Sequence, residues 1–167
     1  MTLKTEVFFD LDGVLADFDT AAERVLHTNN IYKWEFVHGT GEFWRRLSER
    51  SEFFPSIALM PDAHVLLDAT KHLRTAVLTA LPKTNAERVA RQKREWVARM
   101  IGPDMPVITC FTYEKPGYCT PGAVLIDDRA INRDAWVAAG GHFIVHTSAA
   151  MTLLELERLG VLNAASA

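Results

Sequence analysis

Val7-Phe8-Phe9-Asp10-Leu11-Asp12-Gly13-Val14-Leu15-Ala16-Asp17-Phe18 is the stretch that decides the fold. Val7-Phe8-Phe9 is an apolar run of buried-strand length, and it ends abruptly in Asp10 and Asp12, two carboxylates one residue apart. Gly13 follows, where the backbone needs freedom to turn. Two like charges about 4 Å apart repel by roughly 4 kcal/mol at an effective dielectric near 20. A strand that delivers both acids to its end therefore needs a neutralising partner, and a divalent cation is the compact one.

The flanking residues continue as alternating helices and strands. The spacing of Ala21, Ala22, Val25 and Leu26 predicts a helix over 17–28. Residues 29–60 read as small helices and loops with no clear strand. Pro61 suits the start of a helix running to about His72, with Val65, Leu66 and Ala69 inward. Thr75–Thr79, Pro106–Thr109, Ala123–Ile126 and His142–Val145 read as buried strands. Thr84-Asn85-Ala86-Glu87 and Thr152-Leu153-Leu154-Glu155 both have the form of a capping box at a helix start. A further helix is expected over about 130–139, ending at Gly140-Gly141. Alternation of this kind implies crossover units, hence an α/β fold with a Rossmann-like parallel sheet flanked by helices. Ligands of such sheets bind beyond the C-terminal strand ends, where Asp10, Thr79 and Asp127 fall.

The chain has 167 residues, enough for one domain with a sizeable core, and 49% of them are hydrophobic, which excludes a disordered chain. A net charge of -3 gives no reason to expect a stable nucleic-acid partner. No apolar run has the length of a membrane span, and no secretory signal pattern opens the chain. Cys110 and Cys119 fit neither a CxxC nor a zinc spacing, so free thiols in a reducing cytoplasm are expected. The sequence is compatible with a homodimer and leaves the oligomeric state open.

The residue types at the strand ends suggest phosphoryl chemistry. Asp10, ionised at neutral pH, has the properties of a nucleophile that forms an aspartyl-phosphate. Asp12 is placed to protonate the leaving oxygen and then to deprotonate the attacking water. Asp127 and Asp128 add further negative charge, and four carboxylates against the single nearby Lys115 call for a metal. Magnesium fits, since it takes one or two carboxylates together with waters and phosphate oxygens. Thr79 offers a hydroxyl to phosphate, and Lys115 a bridge between phosphate and Asp10.

Asp10-Leu11-Asp12-Gly13-Val14-Leu15-Ala16-Asp17-Phe18 resembles the first signature of the haloacid dehalogenase-like (HAD) superfamily, in the form found in 5'(3')-deoxyribonucleotidases. Val77-Leu78-Thr79-Ala80 resembles the second motif, Lys115 the third, and Leu125-Ile126-Asp127-Asp128-Arg129 the fourth. The resemblance implies a core of residues 1–16 and 61–167 and a small, mostly helical cap at 17–60. It also implies that Asp10, the backbone carbonyl of Asp12 and one of Asp127 and Asp128, with Asp128 favoured, bind magnesium. Phe18, Phe43 and Trp44 match a base pocket, Ala80 falls at a phosphate-contacting position, and Lys83 is a further substrate-binding candidate. Ala80 stands where relatives carry Ser, so one hydroxyl contact is missing.

Aromatic residues concentrate in the expected cap. Positions 18–60 hold eight of the 16 Phe, Trp and Tyr residues, which suits stacking on a flat base but equally the core of a small cap. The implied activity is magnesium-dependent hydrolysis of a small phosphomonoester, a nucleoside monophosphate. Alternatives are another phosphomonoester or a nucleic-acid end as substrate, and a catalytically silent binding module of the same fold.

Other features have plainer readings. Lys83, Arg88, Arg91, Lys93, Arg94 and Arg99 make one helix basic, but Glu87/Arg91 and Glu95/Arg99 are i,i+4 pairs of a solvated face. Lys93 falls on that helix's apolar stripe with Val89, Trp96 and Met100, where snorkelling is the simple account and support of the site the other. The six histidines show no metal-ligand spacing.

Overall fold

The computed structural model describes residues 5–162. Its centre is a sheet of five parallel strands in the order β3-β2-β1-β4-β5, with β1 at Glu6–Phe9, β2 at Arg74–Ala80, β3 at Val107–Cys110, β4 at Val124–Asp127 and β5 at His142–Val145. Phe8 faces a cluster with Ala76, Leu78, Leu125 and Trp136, while Val7 and Phe9 face the larger cluster. Both faces of β1 are thus dry, which is why it reads as an uninterrupted apolar run. Trp136 packs edge-on against Phe8, ring centroids 5.6 Å apart.

β1 pairs with β2 on one side and β4 on the other, so the chain changes direction across the sheet at β1. That switch point opens a crevice at the C-terminal strand ends. Phe9 lies beside Ile126 in register, and the next residues on the two strands are Asp10 and Asp127. The Asp10 N–H donates to the Ile126 carbonyl at 2.8 Å. The parallel pairing itself therefore brings the first and fourth acidic motifs together.

Five helices lie between β1 and β2, and the first four are α1 (Phe18–Leu26), α2 (Ile31–His38), α3 (Thr40–Ser48) and α4 (Phe53–Ser56). The entering and leaving chains are tied to each other. Ala16 bridges Leu59 antiparallel, the Asp17 N–H donates to Ala58 O at 2.9 Å, and the Met60 N–H to Leu15 O at 2.8 Å. Asp17 caps α1 by accepting from the Thr20 N–H. Phe18, Phe43, Phe53 and Phe54 join the same hydrophobic cluster as Val7 and Phe9.

The remaining helices are α5 (Ala63–Thr70), α6 (Ala86–Met100), α7 (Arg133–Ala138) and α8 (Ala149–Arg158). Several expected helix starts differ. Pro61 precedes the N-cap Asp62 instead of opening α5, and Val65 is exposed while Leu66 is buried. Neither capping box forms. Asn85, in the left-handed region at φ 57°, is the residue before α6, and its amide donates to the Ser48 hydroxyl instead. α8 starts earlier, capped by Ser148, because Thr152 is drawn inside to hydrogen-bond His146 at 2.7 Å. The expected helix over 130–139 splits into a 3-10 turn at Ala130–Asn132 and α7. No described helix is long and apolar enough to cross a membrane.

Candidate active site

Asp10, Asp127 and Asp128 each offer a carboxylate oxygen, all within 4.8 Å of one another. Asp10 and Asp127 leave the ends of adjacent strands, and Lys115 holds both. Its Nζ lies 3.0 Å from Asp10 Oδ1 and donates to Asp127 Oδ2 at 2.7 Å. Lys115 comes from the 3-10 helix Thr112–Tyr118 after β3 and is 2% exposed. Burial disfavours its charge, but the carboxylates of Asp10 and Asp127 outweigh burial and raise its pKa.

The second acid, Asp12, has its own lysine. Lys93 Nζ donates to Asp12 Oδ2 at 2.7 Å, to Thr79 Oγ1 at 2.9 Å and to the Ala80 carbonyl at 2.8 Å. The side chain is 1% exposed. The snorkelling account of Lys93 is thereby corrected: its ammonium turns inward and satisfies all three of its donors beneath the sheet edge. It also takes up the Thr79 hydroxyl, which is fully buried. Burial raises the Asp12 pKa, the ammonium of Lys93 opposes it, and Asp10 adds to the rise. Asp12 Oδ1 is buried with no hydrogen-bond partner.

Asp128 is the odd one out. Asp127 has both oxygens engaged, Oδ2 by Lys115 and Oδ1 by the Arg129 N–H at 3.0 Å. Asp128 accepts no hydrogen bond from the described residues. Burial, then the charges of Asp10, Asp127, Asp12 and Asp19, push its pKa up to about 7. Three carboxylates and the Lys115 ammonium leave two negative charges uncompensated, since Lys93 is matched to Asp12. A divalent cation fits this donor set, with Asp10 and Asp128 supplying free oxygens. The Asp12 carbonyl accepts no backbone hydrogen bond among the described residues, as an additional oxygen ligand requires.

Gly13 makes room for this arrangement. Its φ is +78°, and a Cβ built there would collide with the Asp128 carboxylate, 2.7 Å from Cγ. The glycine therefore answers both a left-handed turn and a close approach.

A cavity of about 340 Å³ opens over the acids. Asp10, Asp12 and Asp128 line it together with Phe18, Phe43 and Trp44 from α1 and α3. Ala80 also lines it, whereas Lys83 lies in an adjoining groove and Thr79 and Lys115 lie beneath the surface. The rings pack on one another, Phe18 to Trp44 at 5.7 Å and Phe43 to Trp44 at 5.2 Å. Phe18, Phe43, Phe53 and Phe54 are buried, so half of the eight rings of the 18–60 segment build a core, while Tyr32 and Phe36 are exposed. Trp44 is only half-buried and keeps ring surface toward the cavity. Sequence reading missed Asp19, whose carboxylate accepts from the Tyr32 hydroxyl at 3.2 Å on the cavity wall. A larger, open groove of about 690 Å³ lies at the opposite sheet edge, beside Arg74 and Pro106, away from the acids.

The chain aligns over most of its length with solved hydrolases. A HAD family hydrolase from Deinococcus radiodurans R1, with bound phosphate and sodium, superposes with a TM-score of 0.57 at 16% identity, over 97% of this chain and 99% of that one. The fold is that of the HAD hydrolases. A hydrolase from Streptococcus pneumoniae TIGR4 gives 0.55 at 18% identity over 93% and 97%. L-2-haloacid dehalogenase from Xanthobacter autotrophicus gives 0.53 at 15% over 98% and 85%. No protein-family model matches the sequence, and neither does any curated protein.

Proposed function

We propose that the protein is a magnesium-dependent phosphomonoester hydrolase acting on nucleoside monophosphates, of 5'(3')-deoxyribonucleotidase type. One observation carries this reading: Asp10, whose Oδ1 alone is engaged by Leu11 and Lys115, lines the same cavity as the half-buried Trp44. The HAD fold is shared with a dehalogenase, so the fold does not choose the chemistry, and the acids must.

Asp10 Oδ1 is occupied by the Leu11 N–H at 2.8 Å and by Lys115. The Asp10 carboxylate attacks phosphorus while the P–O bond to the leaving oxygen breaks. Asp12, its pKa raised by burial, gives its proton to that oxygen. As a base it then takes a proton from the water that attacks the aspartyl-phosphate, releasing phosphate and restoring Asp10. Lys93 keeps Asp12 in reach of both steps and limits how firmly it holds the proton. Asp10, Asp128 and the Asp12 carbonyl would hold a divalent cation, which would supply charge neutralisation for the anionic substrate.

In this reading α1–α4 form the cap, and their fixed base at Ala16–Leu59 sets its angle over the strand ends. Trp44 offers a face to the base, a stack worth roughly 1–3 kcal/mol. Lys83 lies in the adjoining groove, outside the acid-lined cavity that takes the reacting phosphate. The unpaired Cys110 and Cys119 support a cytoplasmic setting.

Purified protein assayed with magnesium against a panel of nucleoside monophosphates is expected to release phosphate. Asp10→Asn removes the activity with the fold retained, whereas normal turnover in that variant ends the proposal. Trp44→Ala lowers kcat/KM for the nucleotide at least tenfold more than for p-nitrophenyl phosphate. Equal losses would instead favour a substrate without a base.

A further inference from the structure

The acid-lined cavity does not stop at Trp44. A second groove, of about 520 Å³, adjoins it and shares Trp44 and Pro82 with it as common wall. The two differ in charge. Acids dominate the first, whereas no acid lines the second and the exposed Lys83 is its one charged side chain. The groove also carries an open aromatic shelf. Phe111 and Tyr113 stack with centroids 6.0 Å apart and planes within 10° of parallel, and Tyr113 is 73% exposed. The shelf is anchored, because the Phe111 N–H donates to Glu114 Oε2 at 2.7 Å. Parallel ring faces in a groove whose lining carries an ammonium and no acid match a base and a phosphodiester.

We propose that this groove is a second nucleotide subsite, and that the chain takes a phosphorylated dinucleotide as substrate. The terminal nucleotide lies in the acid-lined cavity, the phosphodiester at Lys83, and the second base on Tyr113 and Phe111. The proposal rests on the phosphatase reading for the position of the terminal phosphate. It stops at two nucleotides because the groove offers a single ammonium, Lys83, and a single aromatic shelf, Phe111 and Tyr113.

The test separates binding from turnover. Calorimetry on the Asp10→Asn protein with magnesium measures Kd for a mononucleotide, for dinucleotides carrying a 5'- or a 3'-terminal phosphate, and for the corresponding trinucleotides. One of the dinucleotides is expected to bind about tenfold tighter than the mononucleotide, the trinucleotide no tighter than the dinucleotide. Adding Tyr113→Ala brings the dinucleotide-to-mononucleotide ratio close to one. Equal affinities for mono- and dinucleotide overturn the subsite, and so does an advantage that survives Tyr113→Ala. A tenfold further gain from the third nucleotide overturns the two-nucleotide limit. Phosphate release by the unmodified protein is read separately: its absence for every nucleotide sinks the phosphatase reading, while a Tyr113-dependent dinucleotide preference in binding keeps the groove assignment.

Discussion

Lys93→Met tests whether the buried ammonium holds the acid-lined sheet edge together. The substitution keeps the length of the apolar stem, so packing against Phe54, whose ring lies 5.6 Å from Nζ, is largely kept. What is lost is a charge bonded to Asp12, Thr79 and the Ala80 carbonyl. Removing one partner of a buried ion pair costs about 3–5 kcal/mol, because the other charge is left uncompensated. Asp12 has a partial escape, since its side chain is 22% exposed and it can take up a proton. The cost therefore falls near the lower figure, about 3 kcal/mol at pH 7.5. The sign of the pH dependence follows. With Lys93 gone, only the weaker pull of Lys115 opposes the burial that raises the Asp12 pKa, so its folded value lies further above the unfolded one. Protonation then favours the folded state, and the variant's deficit shrinks as pH falls from 7.5 to 5. Urea unfolding at both pH values measures it. Adding Asp12→Asn to the variant removes the stranded charge and is expected to recover most of the loss. A deficit below 1 kcal/mol, flat across pH 5–7.5 and untouched by Asp12→Asn, would refute the assignment and return Lys93 to a solvated stem.

Three further outcomes follow from the geometry. Gly13→Ala combines a left-handed backbone cost of about 1–2 kcal/mol with displacement of the Asp128 carboxylate, so calorimetry should show magnesium affinity reduced at least tenfold. Gly141→Ala drives a methyl to within 2.6 Å of Cys119 Sγ and into the Trp136 indole, for an expected loss of about 1–3 kcal/mol in urea unfolding with a shifted tryptophan emission. The metal-free protein should lose stability as pH rises from 5.5 to 8. Asp128 titrates near 7 when folded and, like an ordinary Asp, near 4 when unfolded, so its protonated form favours folding below that window. Saturating magnesium should cancel the decline, which thermal unfolding with and without the ion can follow.

What was legible in the sequence, and what was not, divides along physical lines. β1, β4 and their acids could be read because a parallel strand buried on both faces must be apolar throughout, and a carboxylate pair ends such a run only at its edge. The capping boxes failed because a three-residue motif competes with tertiary partners it does not encode: Ser48 took Asn85, and His146 took Thr152. The same blindness hid Lys93. A lysine on the buried stripe of a helix looks like a stem reaching for water until the strand ends beneath it are known to carry Asp12 and the Ala80 carbonyl. The aromatic concentration at 18–60 also gave a count without a direction, and burial assigns Phe18, Phe43, Phe53 and Phe54 largely to packing and Trp44 to the cavity.

The two lysines give the charge pattern its logic. Each reaches the edge from a different crossover, Lys93 from the helix between β2 and β3 and Lys115 from the 3-10 helix between β3 and β4. Lys93 is matched to Asp12, and Lys115 clamps Asp10 to Asp127. Neither touches Asp128. The unmet charge is thus focused on one carboxylate beside the free oxygen of Asp10, within reach of the phosphate the cavity would admit. Replacing Asp128 by Asn removes that focus while leaving both lysine clamps intact. A site that depends on a cation must then lose magnesium affinity with little loss of fold stability. Unchanged affinity in Asp128→Asn would mean that the charge on this carboxylate is not what draws the ion.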